Sequence, residues 1–381
     1  MYKDFRNIET PFYFYDTALL QATLDAIHSE IDAYPQFRVH YALKANVNPE
    51  ILRLIRNAGF GADCVSGGEI QTAIEAGFPA SSIVYAGVGK SDKEIIPGLR
   101  NDIFCFNVES IPELEVINEL AVRENKIASI CLRVNPNIKA HTHTHIRTGV
   151  AENKFGIALD EIMYVIKLAN TMSNITFKGL HFHIGSQITE MDDFISLCMC
   201  INRLLEMMEV EGIKAEIINV GGGLGVDYDT PQMHAIPDFH AYFQTYINNL
   251  QLRPWQTLHF ELGRSVVAQC GTLFTRVLYV KKGVQKQFAI VDAGMTDLIR
   301  PALYHAHHKI ENISSTAKTY EYYDVVGPIC ESTDVFDKQV GMPTTKRGDM
   351  LAIHSIGAYG EVMASHYNCR ALPKAYTDKE I

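Results

Sequence analysis

The sequence offers no CxxC pair among its eight cysteines, which stand at 64, 105, 131, 198, 200, 270, 330 and 369. Most lie inside apolar runs such as 103–106 and 129–134, so they give no disulfide framework and read as reduced core thiols. No stretch reaches the roughly 18 to 20 apolar residues that a membrane helix requires. The amino terminus, Met1-Tyr2-Lys3-Asp4-Phe5-Arg6, holds no apolar run fit for a signal peptide. A cytoplasmic protein without a membrane partner is expected. Basic residues are too few to balance the acidic ones, and the formal net charge of -10 argues against nucleic acid as a partner. Any anion site must then be built locally from a few Arg, Lys and backbone amides. Low-complexity segments and internal repeats are also missing.

What is present is a chain of 381 residues, 47% hydrophobic and 20% charged, with one Trp against 18 Tyr and 18 Phe. That is the composition of a globular, enzyme-sized protein with a small molecule as its partner, and the length exceeds one average domain.

One lysine stands out. His40-Tyr41-Ala42-Leu43-Lys44-Ala45-Asn46 ends an apolar, strand-like run, and helix-start signals follow at once: Asn48 can cap, and Pro49 suits the first turn of a helix 49–57. Lys44 therefore falls at the carboxyl end of a strand, either as a solvated ammonium or as a functional amine. From residue 37 the apolar runs repeat a strand-then-helix rhythm, with strands expected at 37–43, 61–65, 83–86, 103–106, 127–134, 175–184, 215–220 and 258–261. Eight buried strands alternating with helices predict a (β/α)₈ TIM barrel, with a doubly wound sheet as the alternative. After residue 265 the rhythm turns to β without long helices: 266–280, 287–292, 321–326, 349–355 and 362–372. The aromatic alternation Phe12-Tyr13-Phe14-Tyr15 behind Pro11 predicts an edge strand whose Asp16 caps the next helix. The expected organisation is an N-terminal segment 1–24 joining the β domain, a barrel over 25–264, and a C-terminal all-β domain over 265–381.

In a barrel of this kind chemistry sits at the carboxyl ends of the strands. Gly221-Gly222-Gly223-Leu224-Gly225 follows the apolar strand Ile217–Val220. It is either a tight turn or a cradle whose amides approach a phosphate that no Cβ would permit. His181 and His183 share one face at strand spacing, and Gly185 and Ser186 follow them. The pair can make core contacts, stack on an aromatic cofactor or ligate a metal, and the last needs further ligands. The run His141-Thr142-His143-Thr144-His145 has no nearby Cys or acid, so no metal is expected there. Glu261-Leu262-Gly263-Arg264 supplies a carboxylate for a cationic ring nitrogen and a guanidinium for a carboxylate, or an internal ion pair. Arg300 and Tyr304, Cys330 beside Glu331, and Tyr359 between glycines add polar groups in the β region.

A lysine on the first barrel strand, a stacking histidine, a glycine cradle and a rim carboxylate are the parts that pyridoxal 5'-phosphate requires. With that set, the sequence resembles the fold-type III pyridoxal phosphate-dependent decarboxylases, nearest to the branch acting on diaminopimelate. The likeness runs nearly end to end through 40–46, 65–69, 133–136, 141–143, 152–156, 181–187, 221–225, 292–295, 300–304, 330–332 and 357–360. It implies that Lys44 carries the cofactor as a Schiff base, that His183 stacks on the ring, and that Ser186, Gly222, Gly223, Gly263 and the Arg264 backbone hold the phosphate. Glu261 would keep the ring nitrogen protonated. Arg264, Arg300 and Tyr304 would grip the distal carboxylate of the substrate, Glu331 its distal ammonium, and Tyr359 would line both cofactor and substrate. Cys330 would reprotonate the carbon that loses carbon dioxide. Cys330, Glu331 and Ser332 would reach the site of a second subunit, which implies a homodimer with shared active sites. The implied reaction turns meso-2,6-diaminopimelate into L-lysine, the last step of lysine biosynthesis. Leu262 replaces the proline usual in that family, with a small effect expected on loop stiffness. The rivals are ornithine/arginine or carboxynorspermidine decarboxylases, an alanine-racemase-like enzyme, and a non-catalytic carrier of the cofactor.

Overall fold

Strand β1 (Phe12–Tyr15) runs into a helix, Thr17–Ile31, and Asp16 makes the junction by accepting the Leu19 amide at 2.8 Å on its carboxylate. From there the computed structural model, which describes residues 5, 7–138 and 154–381, enters a parallel sheet. Its strands are β2 (Phe37–Ala42), β3 (Gly61–Cys64), β4 (Ile83–Tyr85), β5 (Cys105–Val108) and β6 (Ala128–Asn135). After the two-residue β7 (Ile157–Ala158) come β8 (Ile175–His181), β9 (Ile217–Asn219) and β10 (Thr257–Leu262). Neighbours pair in the order β5-β4-β3-β2-β10-β9-β8-β6, and β5 pairs again with β6, which closes the ring into an eight-stranded barrel. That closure excludes the doubly wound alternative, and β7 pairs only along the end of β6. The strands read as continuous apolar runs because a barrel wall is covered on both faces.

The helices between them start where the chain supplies caps. Asn48 accepts the Glu50 amide, Ser66 that of Glu69 and Ser110 that of Glu113, and each opens a helix: Pro49–Asn57, Gly67–Glu75 and Ile111–Arg123. Each satisfies an amide that the first helical turn cannot.

Two compact units result. One comprises Leu24–Gly225 and Asp238–Gly263; the other takes the chain up to Thr23, Val226–Pro237 and Arg264–Ile381. The stretch Val226–Pro237, which lies inside the range expected for the barrel, packs with the second unit. Gln232 there donates to Glu311 at 3.0 Å, and Tyr228 accepts from Arg300.

The second unit is a mixed sheet of β11 (Gly271–Lys282), β12 (Gln287–Val291), β13 (Ile310–Asn312), β14 (Tyr320–Val326), β15 (Val335–Pro343), β16 (Met350–His354) and β17 (Lys374–Thr377). The order is β13-β16-β11-β12-β14-β15, with β1 between β11 and β17. The N-terminal strand thus joins the β domain as expected, but it is not an edge: it pairs with β11 antiparallel and with β17 parallel. Its aromatics explain this, since Phe12, Tyr13 and Tyr15 are fully buried and Phe12 stacks on Phe274 with centroids 5.1 Å apart. Two further expectations fail. The segment 362–372 is not a strand but two short helical turns, Glu361–Met363 and Tyr367–Cys369, because Asn368 and Cys369 adopt left-handed backbone angles. The strand expected from 266 starts only at Gly271, since Arg264–Val267 is helical.

Candidate active site

The barrel unit centres on one buried carboxylate. Glu261 ends β10 opposite His40 of β2 and takes three hydrogen bonds: Asn107 and Asn219 donate their side-chain amides to Oε1 at 3.1 and 2.7 Å, and His181 Nε2 lies 2.9 Å from Oε2. Burial pushes this carboxyl upward. The His181 contact and the positive charge of Lys44 outweigh burial and hold it below the ordinary carboxylate range. An ionised carboxylate has about four acceptor positions, so one on Oε2 is left for a further donor.

Lys44 stands in a short helical turn, Leu43–Ala45, directly after β2. The turn is pinned by the Asn46 amide on the Leu43 carbonyl at 3.0 Å and by Tyr41, whose hydroxyl donates to the Asn46 carbonyl at 2.9 Å. Lys44 Nζ lies 3.6 Å from Asp63 Oδ2 of β3, and its side chain is 40% exposed. Asp63 is buried, which raises its pKa; the nearby Glu261 charge adds to this and Lys44 opposes it.

His183 follows β8. The Gly222 amide donates to its Nδ1 at 3.3 Å, which makes Nδ1 the unprotonated nitrogen. Burial first, then Arg133 and Lys44, drive its pKa well below the ordinary imidazole value, so the ring is neutral. Ser186 is half-buried on the turn beyond it. In the glycine run, Gly221 has φ +69° and Gly223 φ +112°, and a Cβ on Gly222 would fall 2.0 Å from the Glu261 carbonyl. Among the described residues the amides of Gly223 and Leu224 meet no protein acceptor. Gly263 is buried at the end of β10.

These residues suit pyridoxal phosphate. A reachable amine, a neutral planar imidazole, a buried anion with one acceptor position left, and amides crowded too closely for any Cβ are the donors and acceptors that group requires.

The second unit centres on cations. Arg264 opens the helix Arg264–Val267 and Arg300 the helix Arg300–Tyr304; each is only 6% exposed. Both donate an Nη1 hydrogen to one phenol oxygen, that of Tyr228, at 2.7 and 2.9 Å. The Arg264 guanidinium also lies 5.1 Å from the Tyr359 ring centre, and Tyr359 is held at φ +59°, a strained angle for a non-glycine residue. Tyr304 is half-buried at the end of its helix. Cys330 and Glu331 are exposed on a turn braced by Asp334, which accepts the Ile329 amide at 2.7 Å and the Met295 amide at 2.6 Å. Tyr367 donates to Glu331 Oε1 at 2.5 Å. Of the other cysteines, Cys369 is exposed, Cys200 half-buried and five buried.

Sequence reasoning missed Tyr228 and Tyr367. Tyr228 lies on no regular element and Tyr367 only opens a three-residue helical turn, and their contacts join segments 36 or more residues apart. Among the described residues no group of three His, Cys, Asp or Glu is placed to hold a metal ion, and no helix is long and apolar enough to cross a membrane. The His141–His145 run and the motif residues Glu152 and Asn153 lie outside the described residues.

The family model described as pyridoxal-dependent decarboxylase, pyridoxal binding domain, matches residues 20–268. Over 377 residues the sequence is 61% identical to diaminopimelate decarboxylase of Bacteroides thetaiotaomicron, covering 99% of this chain and 97% of that one. Among solved structures, diaminopimelate decarboxylase from Helicobacter pylori complexed with L-lysine matches with a TM-score of 0.91 at 40% identity, covering 98% of this chain and 93% of that one. The M. jannaschii enzyme in co-complex with L-lysine matches with a TM-score of 0.89 at 35% identity, covering 97% and 88%. The chain belongs to the pyridoxal-dependent decarboxylases and, within them, to the diaminopimelate decarboxylase family.

Proposed function

We propose that this chain removes carbon dioxide from meso-2,6-diaminopimelate and yields L-lysine, the last step of lysine biosynthesis, with pyridoxal 5'-phosphate as cofactor. The observation that carries the choice of substrate is the pair of buried guanidiniums, Arg264 and Arg300, gathered on one phenol oxygen. Two guanidiniums buried this close together favour an anion beside them, and the distal carboxylate of diaminopimelate is such an anion. Ornithine and carboxynorspermidine offer no carboxylate at that end of the molecule.

When bound, the cofactor supplies an electron sink for the bond that breaks. Lys44 would contribute the amine that carries it, and His183, being neutral, would supply a planar face for the ring. Ser186, Gly222, Gly223, Gly263 and the Arg264 backbone hold the phosphate. Glu261 stays ionised, and its remaining acceptor position would hold a proton on the ring nitrogen. Arg264, Arg300 and Tyr304 fix one carboxylate, which determines that the other is lost, while Glu331 takes the distal ammonium and Tyr359 flanks both ligands. Cys330 returns a proton from Sγ to the carbon that lost carbon dioxide. Its exposed turn, shared with Glu331, suits a homodimer in which each chain completes the other's site, and we place that dimer in the cytoplasm.

A side-by-side assay of meso-diaminopimelate, ornithine, arginine and carboxynorspermidine tests this reading. Turnover of meso-diaminopimelate to L-lysine is expected at about 100-fold or more the kcat/KM of the others, the scale at which a site built for a polar group rejects analogues lacking it. Preference for ornithine would reject it.

A further inference from the structure

The contact that joins the two arginines is a phenol, and its hydrogen-bond arithmetic is incomplete. A tyrosine oxygen carries one hydrogen and can accept two hydrogen bonds. At Tyr228 both acceptances are taken, by Arg264 at 2.7 Å and Arg300 at 2.9 Å, while among the described residues the hydroxyl hydrogen meets no acceptor. The ring cannot easily turn away. The Arg300 guanidinium sits 5.5 Å from its centre, and His308 meets it edge-on with ring centres 5.0 Å apart. His308 is itself anchored, with Nδ1 2.9 Å from the His354 carbonyl, and burial with the charge of Arg300 drives its pKa down to about 3, so it stays neutral. Tyr228 is thus a fixed donor between two buried cations, and Arg300 has no carboxylate partner among the described residues.

We propose that Tyr228 is a specificity-determining residue for the distal carboxylate, gathering Arg264 and Arg300 onto its oxygen and donating its own hydroxyl hydrogen to that carboxylate. The inference rests on the reading above that this chain acts on a substrate with a distal carboxylate. It differs from a simpler account in which the phenol only occupies the guanidiniums until a carboxylate displaces it. The two accounts give opposite signs, because in the first Tyr228 binds the substrate and in the second it competes with it.

The test is the Tyr228→Phe holoenzyme, which keeps the ring packed on His308 and Arg300. KM for meso-diaminopimelate and inhibition constants for two product-like amines are compared with the wild type. L-lysine keeps the distal carboxylate, and cadaverine lacks it. The expected result is a rise of about 10-fold or more in KM and in the L-lysine inhibition constant, the scale of one hydrogen bond to a charged group, with the cadaverine constant unchanged and kcat within about 3-fold. KM and the inhibition constants do not depend on the fraction of the variant that folds. An unchanged or lower KM, or an equal loss for cadaverine and L-lysine, overturns the role assigned to Tyr228. A wild type that leaves meso-diaminopimelate intact would instead refute the reading on which the inference rests.

Discussion

The barrel unit and the β unit each bury charge, but in opposite states of completion. In the barrel, one anion, Glu261, is met by two asparagine amides and a histidine, and the protein has already provided most of its hydrogen bonds. In the β unit, two cations, Arg264 and Arg300, meet on one phenol, whose pKa burial raises but their charges pull below the ordinary tyrosine value. Burying a charge is costly unless it is paired, so the first arrangement is a finished electrostatic tool, while in the second Arg300 has no carboxylate partner among the described residues. The difference is one of complementary chemistry: the barrel's anion suits a cationic ring, and the β unit's cations suit a carboxylate.

The strongest way to break this comparison is to remove charge from the finished side. Glu261→Gln turns an acceptor-only group into one that also donates, toward Asn107, Asn219 and His181, which already donate there. We expect kcat to fall by about 10²- to 10³-fold, the scale of losing a preorganised electrostatic partner, with KM changed much less. The same variant has a stability signature. The folded-state pKa of Glu261 is held below its ordinary value near 4.5. Its ionised form therefore stabilises the fold above that value, and the contribution fades as pH falls toward the depressed one. Thermal melts of wild type and Glu261→Gln should differ at pH 7 and converge on acidification; a constant difference would mean the charge is not what matters.

The unfinished side sharpens the comparison. Arg300→Met keeps bulk and removes one cation, and kcat/KM for meso-diaminopimelate should fall by about 100-fold, carried by KM. Steady-state kinetics decide it, since a fall carried by kcat would place Arg300 in the chemistry rather than in substrate binding. The smallest effect expected is that of Tyr228→Phe, a single hydrogen bond.

The elements readable in the sequence are those whose signal is local. The eight barrel strands are short, largely buried runs with apolar stretches between helical segments, Asn48 and Pro49 announce their helix, and Lys44 declares itself by ending an apolar run. β13 and β15 were not legible, because Ile310-Glu311-Asn312 is too short and Val335–Pro343 carries Asp, Lys, Gln, Gly and Pro through a strand. The burial of β1 on both sides was hidden for another reason: β17, its parallel partner, lies at the far end of the chain. At the candidate site, residues standing in strand-end motifs could be picked out beforehand. Tyr228 could not, since its meaning comes from residues 264 and 300, which only the fold brings to it.

The central claim is that Lys44 carries the cofactor through which this chain decarboxylates meso-diaminopimelate. Carbon dioxide release from that substrate, measured for wild type and Lys44→Ala side by side, tests it most directly. Wild type should release it, and the variant should lose activity by about 10⁴-fold or more, as enzymes do when a covalent catalytic group is removed. A Lys44→Ala protein that still released carbon dioxide at a comparable rate would contradict the account.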